Sequence, residues 1–103
     1  MNRRDALLTV IDALHDEIAA LKANDVAALE RATKVKLAGI EAVAAAGTGP
    51  AGPDLRELAD EANRLNETCR IYGNLMAANV RRRLQVLTGD AGAGYRPAVR
   101  AYA

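Results

Sequence analysis

A chain of 103 residues, half of them hydrophobic, supports one domain with a modest core. Alanine supplies 23 of its residues and three tyrosines are its only aromatic side chains; alanine favours helices that approach closely, and the lack of alternating β-branched or aromatic residues excludes a sheet protein. The formal net charge of +1 conceals an imbalance, because residues 1–78 carry nine Lys/Arg against twelve Asp/Glu and residues 79–103 carry five Arg against one Asp.

The first element runs from about Arg4 to Ala23. Leu7, Ile11, Leu14, Ile18 and Leu21 repeat at steps of four and three, the spacing of a heptad seam. Asn24-Asp25 then interrupts the pattern: asparagine tolerates the left-handed backbone that ends a helix, and aspartate is a good N-cap. The next apolar set, Val26, Leu29, Leu37, Ile40 and Val43, is rotated by about 100° from the first seam if one helix is continued at 3.6 residues per turn. This favours a tight turn and a second helix, about Val26 to Ala46, over a kinked continuous helix. Gly39 weakens that helix by up to about 1 kcal/mol unless it provides a close packing contact.

Gly47-Thr-Gly-Pro-Ala-Gly-Pro53 is the clearest boundary, with three glycines and two prolines in seven residues. Asp54 follows as a candidate N-cap and Glu57 can reach back to it as in a capping box. A third helix, about Asp54 to Thr88, places Leu55, Leu58, Ala62, Leu65, Cys69, Tyr72, Met76, Val80, Leu84 and Leu87 on one face. The expected architecture is all-α, an antiparallel up-down-up three-helix bundle in a single domain over residues 1–88, with a flexible tail over 89–103. The third helix, about 52 Å long against about 30 Å for each of the others, then leaves Met76, Val80, Leu84 and Leu87 uncovered. An exposed apolar stripe of this kind marks an interaction surface.

Chemistry is sparse. His15 is the only histidine, and Cys69, the only cysteine, lies on the apolar seam of another helix, where a thiol is more often inert core than nucleophile. Asp12, Asp16 and Glu17, like Asp60 and Glu61, read as solvent faces and lack the Glu-x-x-His pattern of a bundle metal site. The expectation is therefore no enzyme, no metal and no cofactor. With no internal disulfide available and no cleavable leader evident, a reducing cytoplasm is the expected compartment. The longest apolar run, Ala42–Ala46, argues against membrane insertion. Arg81, Arg82 and Arg83 point in three directions with no interleaved aromatic, which argues against nucleic acid and for a solvated face; the basic end favours an acidic partner surface.

Asn63, Asn66, Asn74 and Asn79 are mediocre helix formers. They read either as plain exposed positions or as amides beside an apolar groove, able to satisfy the backbone of a partner helix. Gly73 would allow another backbone to approach, or simply weakens the helix.

Two leading helices joined by a short acidic turn, a long helix with Leu65-Asn66, Asn74-Leu75-Met76 and Val80-Arg81, and a Leu87-Thr88-Gly89 stop before a tyrosine-containing tail resemble the FlgN-like flagellar export chaperones. The resemblance covers nearly the whole chain. This chain departs from the family in its short first and second helices and in Arg96-Pro97 after Tyr95, where the family more often has an acidic residue. The resemblance implies a cytoplasmic, non-enzymatic chaperone of hook–filament junction proteins, whose amphipathic terminal segments it would bind and deliver to the flagellar type III export apparatus. Carried over, Leu65, Cys69, Tyr72, Met76, Val80, Leu84 and Leu87 form the client stripe with Asn66 and Asn74 beside it. Tyr95 is the candidate for docking on the export gate and Tyr102 a second choice. The alternative is a homodimeric helical bundle, without a client, that pairs the same stripe with its own copy.

Overall fold

The computed structural model describes residues 1–88. Among these the chain is all-helical: α1 spans Arg3–Ala23, α2 spans Val26–Ala45 and α3 spans Pro53–Thr88. Tyr95 and Tyr102 lie outside the described residues. The described residues fall into two units, 1–73 and 74–88, divided within α3.

Helix ends in the first unit follow from local chemistry. The Asn2 side chain accepts the Asp5 amide at 2.8 Å and caps α1. Asn24 adopts φ 57°, ψ 39°, the left-handed conformation, and its N–H donates to the carbonyls of Ala20 and Leu21, satisfying groups that the helix end would otherwise orphan. Asp25 then caps α2 by accepting the Ala28 amide at 3.0 Å. The α3 start differs from the expected Asp54 cap. The Arg56 amide donates to the Gly52 carbonyl at 3.1 Å and Pro53 is the first helical residue. Proline suits this position because its missing N–H would have had no helical acceptor and its φ is already helical. Asp54 falls inside the first turn, where it favours the positive end of the helix dipole. The intervening loop is tied back to α1: the Arg3 guanidinium donates to the carbonyls of Gly49 at 2.7 Å and Pro50 at 3.3 Å.

The core between α1 and α2 is narrower than the leucine pattern implied. Ala6, Val10, Ile11, Ala13, Leu14, Glu17 and Ala20 of α1 are buried, as are Ala32 and Gly39 of α2. Of the expected α1 seam only Ile11 and Leu14 are buried, while Leu7, Ile18 and Leu21 are half-buried. On α2 the bulky Val26, Leu37 and Ile40 are exposed. The cause is close approach. A Cβ built on Gly39 would lie 2.8 Å from Val10 Cγ2 and 3.4 Å from the Val10 backbone nitrogen, so small residues form the contact and larger ones are displaced to its edges. Gly39 provides the packing contact that offsets its poor helix propensity.

Candidate functional site

Glu17, which the sequence placed on a solvent face, is 3% exposed. Its carboxylate accepts the Thr33 hydroxyl at 2.7 Å and the Lys36 ammonium at 3.1–3.2 Å, both from α2. A charge taken out of water requires such partners. The partners lie 16 and 19 residues away in sequence, so the local pattern around Glu17 does not reveal them.

Cys69 of α3 adjoins this cluster. Its thiol donates to the Leu14 carbonyl at 3.7 Å. Burial, then the Glu17 charge and its hydrogen bond, push the Cys69 thiol up to about 11, against a smaller opposing effect of Lys36. A proton held that firmly makes a poor nucleophile at neutral pH. His15 is exposed and shares no polar contact with Cys69. Among the described residues no group of three or more His, Cys, Asp or Glu side chains could hold a metal ion, and no helix is long and apolar enough to cross a membrane.

The residues singled out from the sequence divide between the two units. In the first, Leu65, Cys69 and Tyr72 are half-buried, with Cys69 on the Leu14 carbonyl and the Lys22 ammonium 5.5 Å from the centre of the Tyr72 ring, within cation–π range. Asn66 and its neighbour Asn63 line an apolar groove of about 600 Å³ whose walls include Leu7, Val10 and Leu14 of α1, Leu37, Ile40 and Val43 of α2, and Ala59 and Ala62 of α3. Asn63 and Asn66 are both exposed, which either reading of the asparagines allows. At Gly73 an added Cβ would meet nothing within 4 Å among the described residues outside its own stretch of helix.

In the second unit, Asn74 is exposed and Met76 half-buried. Val80, Leu84 and Leu87 are 45%, 57% and 81% exposed. Arg81, Arg82 and Arg83 are also exposed. Leu75 and Val86 are equally open at 60% and 62%, and the stripe pattern passed over them: each adjoins a stripe residue in sequence and so lies about 100° around the helix from it. Comparison of the chain with protein-family models, curated proteins and solved structures finds no match.

Proposed function

We propose that this chain is a cytoplasmic, non-enzymatic chaperone of the FlgN-like kind. In this reading its three helices run up-down-up, and the second half of α3 binds amphipathic terminal segments of hook–filament junction proteins and holds them for the flagellar type III export apparatus. The observation that carries the helix-binding part is the exposure of Val80, Leu84 and Leu87 at regular helical spacing. Large aliphatic side chains at three- and four-residue steps are what an amphipathic partner helix covers. The choice of flagellar client follows from the resemblance of the sequence.

The magnitudes suit a reversible binder. Counting only the exposed part of each side chain, covering Val80, Leu84, Leu87 and Met76 contributes about 3–6 kcal/mol gross, at about 1.5–3 kcal/mol per fully buried side chain. Association and side-chain ordering remove much of this, so the stripe by itself supports only weak, reversible binding. Methionine adapts its shape to more than one client sequence.

Calorimetric titration with junction-protein terminal segments tests the proposal. Binding, lost in Met76→Glu/Leu84→Glu with helical content unchanged, supports it. Unchanged affinity in that variant refutes the surface. A tight dimer by light scattering that excludes added segments favours the homodimer instead.

A further inference from the structure

Residues 74–88 contain Arg81, Arg82 and Arg83 and no aspartate or glutamate. All three arginines are exposed, and among the described residues none is engaged in an ion pair. Their placement is not uniform around α3. At about 100° per residue, Arg83 falls about 55° to one side of the line through Met76, Val80, Leu84 and Leu87, Arg81 about 105° to the other, and Arg82 on nearly the opposite face. Two guanidinium groups therefore border the stripe, one along each edge, while the third points away from it.

We infer that the partner fitted to this surface is an amphipathic helix whose apolar seam is bordered on both sides by carboxylates. The inference rests on residues 74–88 being a helix-binding surface, and it specifies the chemistry of what binds. A partner helix lying on the stripe brings its flanking side chains beside Arg81 and Arg83, where glutamate or aspartate gains charge-assisted hydrogen bonds and lysine or arginine is repelled. The same charges select against a second copy of this chain. The arginine triplet lies at the middle of the Met76–Leu87 stripe, so two copies paired on it, parallel in register or antiparallel about its centre, set four guanidinium groups, Arg81 and Arg83 of each copy, along the shared seam. The segment contains no acidic residue to offset them.

The test uses the full chain and two labelled synthetic helical peptides with one leucine seam, bordered by glutamate in one and by lysine in the other. Fluorescence anisotropy reports their affinities. The glutamate-bordered peptide binds about tenfold more tightly at low salt, and the advantage falls towards unity at about 0.5 M salt as the charges are screened. Arg81→Gln with Arg83→Gln erases the preference, lysine at both positions restores it, and Arg82→Gln leaves it intact. Glutamine is a comparable helix former, so these variants keep the helix. Equal binding of both peptides, abolished by Leu84→Glu, overturns the charge assignment and leaves the helix-binding surface standing. Failure of both peptides to bind, whether the protein is a monomer or a dimer, overturns both.

Discussion

Replacing Gly39 by alanine sets two effects of opposite sign against each other in the contact between α1 and α2. On an open helix surface the change stabilises by about 0.5–1 kcal/mol, because alanine has the better helix propensity. At Gly39 the new Cβ would lie 2.8 Å from Val10 Cγ2 and 3.4 Å from the Val10 backbone nitrogen. Val10 is 5% exposed, and its branched side chain has little rotational freedom with which to yield. Overpacking a close contact costs about 1–3 kcal/mol, so the net effect is a loss of about 1 kcal/mol, or about 4–8 °C in Tm for a domain of this size. Urea denaturation followed by far-UV circular dichroism measures it. Two comparisons fix the cause. Gly73→Ala, where nothing lies within 4 Å, should stabilise by about 0.5–1 kcal/mol. Gly39→Ala in a Val10→Ala background should become neutral or stabilising, because the obstructing methyl is gone. Stabilisation by Gly39→Ala in the parent chain, equal to that at Gly73, would refute the close-approach account of the core.

Three further outcomes follow from the first unit. Lys36→Met leaves the Glu17 carboxylate buried with only the Thr33 hydroxyl and should cost about 2 kcal/mol; adding Glu17→Leu should recover most of the loss in the same melts. Because the Cys69 thiol rises from the ordinary 9.0 to about 11, iodoacetamide at pH 8 should alkylate the folded protein about a hundredfold more slowly than the urea-unfolded chain. The folded state holds that proton more firmly than the unfolded chain, so the associated stability is complete below about pH 9 and declines towards about pH 11; Cys69→Ala should flatten that part of the stability profile. Asn24→Ala forces a Cβ-bearing residue without a compensating amide into φ 57° and should cost about 1 kcal/mol, while Asn24→Gly should be close to neutral.

The sequence revealed most where a conformation is set by the residues adjoining it. The Asn24-Asp25 turn was legible because short polar side chains are the ones that tolerate a left-handed backbone and cap the following helix. The helix periods were legible because residues three and four apart share a face. What was not legible depended on residues distant in the chain. The Ala6, Val10, Ala13, Glu17 and Ala20 face of α1 carries less hydrophobicity than the leucine face beside it, yet it is buried together with Ile11 and Leu14 of that face, because Gly39 of α2 lets the two backbones close in. Glu17 looked solvent-exposed because its partners Thr33 and Lys36 belong to the next helix. Proline at the start of α3 was read as part of the loop, although its fixed φ also suits the first helical position, and this moved the expected cap from Asp54 to Gly52. In the candidate site, the regular stripe was visible as spacing. Whether its members are open depends on packing: Cys69 adjoins α1 and Tyr72 receives the Lys22 ammonium, whereas Val80, Leu84 and Leu87 are exposed.

The most direct test of the central claim is amide hydrogen exchange on the full chain with and without a junction-protein terminal segment at saturating concentration. The account predicts added protection concentrated in residues 76–87, where a bound helix excludes water from the stripe, with little change around Leu37, Ile40 and Asn63 in the groove of the first unit. Protection confined to that groove, or none anywhere while calorimetry records binding, would contradict the placement of the binding surface on the second half of α3.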